Sequence, residues 1–264
     1  MKKNLTITCV VFSVLSFFCI SNGFAGESIT GRVSDWAPHS YKENGKWKGR
    51  SVDAYRALAD EAGVSLVLKD IPWSRTIKYM EFKPIMLADL TPTSERKKFM
   101  YFFGPHHVEV MSVVVSVKFK DKKINTLDDL VSLAGRTGLQ IIYQQDVFYS
   151  EEFNSRIETD PEFARHFKKK VMDIHRSVRL ISEGKYLGFI EDKSGLVYLI
   201  KSKKLSDRVI IHNYVLNKTD VYIGVSKSIS DEMYKKLKAA DERLKKRGAY
   251  KLIQRKWTSE GSFK

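Results

Sequence analysis

The chain has 264 residues, 43% of them hydrophobic, which is enough for one large domain or two lobes of ordinary size with buried cores. Its 46 lysines and arginines against 31 acids give a net charge of +15. The lysines are interleaved with acids along the chain instead of being grouped with aromatics on one element, and no nucleic-acid motif accompanies them. That pattern describes a solvated basic face and excludes nucleic acid as a partner.

Residues 1–25 read as a secretory signal peptide: Lys2 and Lys3, an apolar stretch from Leu5 to Ile20, and the ending Gly23-Phe24-Ala25. Both cysteines, Cys9 and Cys19, fall inside it, so the exported chain has no thiol, disulfide or cysteine metal site. Phe17 and Phe18 are too bulky for a lipid-attachment signal at Cys19. No later stretch approaches the roughly 20 apolar residues of a bilayer span. Export without disulfides points to a bacterial periplasm, and removal of Lys2 and Lys3 lowers the charge from +15 to +13.

Ser28–Val33 then alternates as a strand, and residues 51–63 form a helix with Ser51 as its expected cap, a stripe of Val52, Tyr55, Leu58 and Ala62, and Gly63 as its left-handed stop. Val64–Leu68 follows as a strand, and strand, helix, strand in this order is an α/β unit with parallel pairing. The β-branched run Met111–Val117 leaves this unit, and Thr126-Leu-Asp-Asp opens a helix with a capping hydroxyl and early acids. Gly135–Ile142, Lys170–Ile174, Leu187–Ile190 and Arg208–His212 are expected as strands of a second α/β unit. Val221–Val225 returns as a strand, and Ser230 caps a long helix with the stripe Met233, Leu237, Ala240 and Leu244, ended by Gly248. The chain thus visits one lobe, a second, and the first again, with lobe 1 at residues 26–109 and 224–264 and lobe 2 at 110–223.

The most informative segment is residues 89–105, in which a hydroxyl-rich Thr91-Pro-Thr turn leads through Arg96 into an aromatic run that closes on Gly104-Pro105. It is accompanied, in order, by Trp36-Ala-Pro, Gly45–Asp53, Pro72-Trp73, Thr126–Leu130, Gly184–Asp192 and Lys246–Trp257. Together these resemble the bacterial family 3 extracellular solute-binding proteins over nearly all of the exported chain. The resemblance implies an α/β, two-lobed periplasmic-binding-protein fold of type II with two hinge crossings. It further implies a monomer that captures a small polar, amino-acid-like solute for an inner-membrane ABC permease, with no cofactor and no metal.

By the same resemblance, Arg96 forks onto the solute's α-carboxylate, Thr91 adds a hydrogen bond, Asp192 takes the α-ammonium, and Trp36 and Trp73 form side-chain platforms. Plainer roles stand beside these: Arg96 paired with Glu95 or Asp89, Asp192 capping a helix that begins near Ser194, and both tryptophans in the core. The chain departs from the family pattern at Pro84 and Leu187, where acids are usual. It departs more consequentially at residues 142–146, where Tyr143, Gln144 and Gln145 replace the glycine that lets backbone amides approach a carboxylate. Asp89 adds negative charge beside Arg96.

His106, His107 and Glu109 offer metal-ligand chemistry, but adjacent histidines on a regular strand point to opposite faces, which argues for packing or hinge contact instead. No nucleophile elbow, zinc-protease motif or phosphate loop occurs, so the reading is a binding protein and not an enzyme. Two alternatives stay open. One is an orphan binding protein that reports its ligand to a membrane receptor. The other is a cyclohexadienyl-dehydratase-like enzyme with Asp89, Glu191 or Asp192 as proton donor.

Overall fold

The structure is a computed structural model that describes residues 27–170 and 174–258. The expected signal peptide and both cysteines lie outside the described residues.

Strand β1 (Ser28–Val33) leads through a small hairpin, β2 (Tyr41–Glu43) and β3 (Lys46–Lys48), into helix α1 (Arg50–Ala62). The helix buries Val52, Tyr55 and Leu58 and ends at Gly63 with φ 65°, as the pattern predicts. Its start differs from expectation. The residue preceding the helix is Gly49 and no side chain caps it; the first amides, those of Arg50 and Ser51, donate to the carbonyls of Pro38 and His39 at 2.9 Å. Gly49 is required there, because at φ 132° a Cβ would lie 2.1 Å from the His39 carbonyl oxygen. The residue 36–40 turn is thereby stitched to the helix, and the Ser51 hydroxyl is free to donate elsewhere.

Strand β4 (Ser65–Asp70), helix α2 (Trp73–Tyr79) and strand β5 (Ile85–Leu90) follow, and β1 pairs in parallel with both β4 and β5. Strand β6 (Met100–Ser116) is far longer than the β-branched run that signals it. Helix α3 (Leu127–Thr137) opens on the expected capping box of Thr126 and Asp129 and takes in Gly135–Thr137, so strand β7 is only Ile141–Gln144. Helices α4 (Glu151–Thr159) and α5 (Pro161–Ala164), strand β8 (Phe167–Lys170), helix α6 (Ile174–Ser182), strand β9 (Gly188–Asp192) and helix α7 (Lys193–Ser202) come next. The predicted strands Arg208–His212 and Val221–Val225 are two ends of one, β10 (Val209–Ser226). Helix α8 (Asp231–Lys246), capped by Ser230, and helix α9 (Ala249–Thr258) complete the described chain.

The strands run in the order β4-β1-β5-β10-β6-β9-β7-β8. β6 and β10 are antiparallel to each other at its centre and extend through both halves. One core, with Ile29, Tyr55, Leu58, Phe103, Val225 and Leu237, lies on one side. Others, with Val113, Leu130, Phe153 and Ile190, and with Ile142, Val178 and Leu199, lie on the other. Between them Val221 pairs with His107 and Ile223 with Phe103, so Gly104, Pro105 and His106 stand against Tyr222 alone. This bulge breaks the alternation of side chains at the middle of the molecule. No helix among the described residues is long and apolar enough to cross a membrane.

Candidate functional site

A cavity of about 450 Å³ lies between the two groups of cores. The first half contributes Arg32, Ser34 and Trp36 from the end of β1, Trp73 at the start of α2, Asp89 and Thr91 at the end of β5, and Arg96. The second contributes Gln144, Gln145, Val147 and Phe148 after β7, together with Glu191 on β9, while Glu109 and Met111 come from β6.

Of the residues expected in the site, Arg96, Thr91, Trp36, Trp73, Asp89 and Gln144 line this cavity. Arg96 sits on a short 3-10 turn, and its guanidinium donates to the Thr91 carbonyl at 3.1 Å and to the Asp146 carbonyl at 3.0 Å. The Trp73 indole N–H donates to the same Asp146 carbonyl at 3.3 Å, and Arg32 lies 5.6 Å over the Trp73 ring. A single backbone oxygen of the second half thus engages two donors of the first. Asp146 has φ 61°, an uncommon conformation for a residue with a side chain, and it aims that carbonyl. Trp36 lines the cavity and stacks on His39 at 3.7 Å with ring planes 9° apart.

Two of the expected residues are placed elsewhere. Tyr143 packs edge-on to Phe153 at 5.6 Å and to Tyr149 at 6.3 Å, because alternation along β7 turns it into the second-half core. Asp192 is 2% exposed and held by groups of the chain itself. Its Oδ2 accepts from the His39 ring at 3.0 Å and, as the cap of α7, from the amides of Ser194 at 3.0 Å and Gly195 at 3.3 Å, while Oδ1 accepts from the Val110 amide at 3.3 Å. The Ser194 hydroxyl also donates to it. Oδ2 is saturated and Oδ1 keeps one acceptor position, but Asp192 is not among the residues that line the cavity.

His39 belongs to a buried polar cluster that the sequence does not announce. Arg50, 2% exposed, places one guanidinium nitrogen 3.0 Å from His39 Nδ1 and 2.8 Å from His107 Nε2. A proton donated to His107 Nε2 leaves that ring's own hydrogen on Nδ1, 3.1 Å from His106 Nδ1. Asp89, held at φ 62°, accepts from the Ser51 hydroxyl at 2.5 Å on Oδ2. Its Oδ1 makes no hydrogen bond but faces nitrogens of His39, His107 and His106 at 3.4, 3.5 and 3.6 Å. The adjacent histidines therefore converge on one carboxylate, contrary to the expectation for a regular strand, because His106 lies within the bulge of β6. His39, Asp89 and His107 offer ligand atoms within 4.8 Å of one another, but the Arg50 guanidinium already stands among them as the cation.

The charges follow from this packing. Burial opposes ionisation of Asp89, yet His39, His107 and His106 hold its carboxyl well below the usual range. Asp192, also penalised by burial, is held at about 2 by His39, Arg50 and Ser194. Burial lowers His106 to about 4 and, with Arg50, takes His107 well below its ordinary value. Burial and Arg50 pull His39 down, but Asp89 and Asp192 outweigh them and raise it. Glu191 is pushed up to about 7 by burial and then by Asp192. Glu109 is raised well above the carboxylate range by burial and by Asp192, Asp89 and Glu191.

The profile of the bacterial extracellular solute-binding proteins, family 3, matches residues 29–260. The chain belongs to that family. It is 27% identical over 190 residues to the arginine-binding extracellular protein ArtP of Bacillus subtilis (strain 168), covering 68% of this chain and 69% of that one. Among solved structures it resembles an amino acid ABC transporter substrate-binding protein from Streptococcus pneumoniae Canada MDR_19A bound to L-arginine. That match has a TM-score of 0.68 and 20% identity, covering 89% of this chain and 94% of the other. It also resembles the ancestral amino acid-binding protein AncCDT-1, a precursor of cyclohexadienyl dehydratase, with a TM-score of 0.67 and 22% identity over 88% of this chain and 95% of that one. These likenesses establish the type II periplasmic-binding-protein fold, and the family gives the chain a solute-binding role.

Proposed function

We propose that this family member is the substrate-binding component of an ABC importer for an amino-acid-like solute. In this reading residues 1–25 direct export to the periplasm. Residues 26–109 with 224–264 and residues 110–223 are the two lobes, β6 and β10 are the hinges, and the protein works as a monomer without catalysis or a cofactor. The observation that carries it is Arg96, a guanidinium that lines the same cavity as Thr91, Trp36 and Trp73 and donates from one nitrogen to the Asp146 carbonyl of the opposite half. A solute carboxylate that takes the place of the Asp146 carbonyl receives the same fork of donors and ties the lobes together.

Thermal melting of ligand-stripped protein against amino acids, amines and small carboxylic acids tests this, since a ligand at about 100 times its dissociation constant adds about 2.7 kcal/mol. A shift with amino acids that Arg96→Ala weakens by about 2–4 kcal/mol supports the role of Arg96. An unchanged affinity in that variant refutes it. A carboxyl near 7 at Glu191, in the same cavity as Arg96, is also what an acid catalyst needs. Turnover of prephenate-like acids would replace the transport reading with the enzymatic one.

A further inference from the structure

The cavity holds a carboxyl that the rest of the protein leaves without a partner. Glu109 is 4% exposed and lines the cavity, and no hydrogen bond or ion pair reaches it among the described residues. Glu191, 9% exposed and lining the same space, accepts only from the amide of Asp192, at 2.8 Å. Buried acids elsewhere in the molecule are satisfied: Asp192 by His39 and a helix start, and Asp241 by Tyr250 and the Gly104 amide. An acid this buried and without a partner is costly to ionise unless something else completes it.

What completes it is set by the charges that face it. Asp89 on β5 and Asp192 and Glu191 on β9 press negative potential on Glu109, Arg50 on α1 relieves part of it, and Arg96 attracts it without pairing. The two arginines of the cavity already have acceptors, Arg32 at the Ile71 carbonyl and Arg96 at those of Thr91 and Asp146. A cation in the space that Glu109 and Glu191 both line favours their ionised forms and takes the place of the proton that burial keeps on Glu109.

We propose that Glu109, assisted by Glu191, is the cation subsite of the cleft, so that its solute carries an ammonium or guanidinium group there in place of the contact expected at Asp192. This rests on the reading of the cavity as the solute site, with Arg96 taking the carboxylate. L-Arginine and L-glutamine offer both groups, agmatine offers cations without a carboxylate, and glutarate offers carboxylates alone.

Titration calorimetry of wild type, Arg96→Ala, Glu109→Gln and Glu191→Gln with these four probes, repeated in buffers of different ionisation enthalpy, tests the assignment. In wild type the cation-bearing probes are expected to bind, with release of about one proton as the acid ionises against the cation. Glu109→Gln should lose on the order of tenfold or more for those probes, and Glu191→Gln less. If Glu109→Gln binds unchanged while Arg96→Ala does not, the cation subsite is overturned and the reading of the cleft stands. Preferential binding of glutarate without proton release also overturns it, since the neutral Glu109 carboxyl then donates a hydrogen bond to an anion. Binding of none of the probes overturns both. The proton count is read on wild type, so the test survives a variant that fails to fold.

Discussion

Two sets of buried charge sit side by side between the lobes and are handled in opposite ways. Around Arg50 the chain supplies both signs itself: Asp89 and Asp192 are answered by His39 and a guanidinium, and every member is fixed by at least one neighbour. Around Glu109 it supplies no cation within pairing distance, Arg50 and Arg96 acting on it only from further off, and the space beside the carboxyl is cavity. A closed set of charges ties elements together, here the turn at Trp36, the start of α1, the bulge of β6 and the cap of α7. An incomplete set, equally buried, leaves interaction energy for a molecule that is not part of the chain.

The contrast can be broken most forcefully at Arg50. Arg50→Met keeps the volume but removes the one cation shared by two imidazoles and facing two carboxylates, and a loss of about 3–5 kcal/mol in denaturant unfolding is expected. A loss near zero would mean that the cluster is not held by its charges. The pH dependence of stability sharpens the other side. Glu191 is raised from its ordinary 4.5 to about 7, so between these values the folded protein holds a proton that the unfolded chain has released. Its contribution is complete below about pH 4.5 and lost as pH rises through 7, a fall of about 3 kcal/mol that Glu191→Gln should flatten. Glu109 acts in the same direction. Asp192, held at about 2, acts oppositely, and its contribution disappears as pH drops from about 4 toward 2. Smallest is the difference between Asp192→Ala and Asp192→Asn: both lose the ion pair with His39, but asparagine still caps α7, so it should retain about 1 kcal/mol more.

Local rules made much of the architecture legible. Gly63, the Thr126 capping box and the stripe of α8 stand where periodicity and cap chemistry place them, because those signals depend only on residues a few positions apart. The extent of β6 and β10 was hidden, since each crosses from one core to another and changes its pattern on the way. In the cleft, Arg96, Thr91, Trp36 and Trp73 were readable from a contiguous motif and its companions. The fate of Asp192 was not, because the group that occupies it, His39, lies 153 positions away and belongs to no motif. Ser51 misled in the same way, its hydroxyl drawn to Asp89 once Gly49 and the residue 36–40 turn had taken over the helix start. Of the basic members of the buried cluster only the adjacent pair His106 and His107 stood out in the sequence, and Arg50 gave no local sign of its burial.

The Asp146 carbonyl gives solute capture the character of an exchange. Arg96 and Trp73 are hydrogen-bonded to it, so an acceptor that reaches these donors displaces a protein oxygen and not bulk water. The net heat from that end is then the small difference between two similar bonds. A solute that occupies that position without an acceptor breaks the existing contact with nothing to replace it, and is disfavoured by that unreturned cost. Discrimination is thus set by the bonds the protein gives up as much as by those the solute makes.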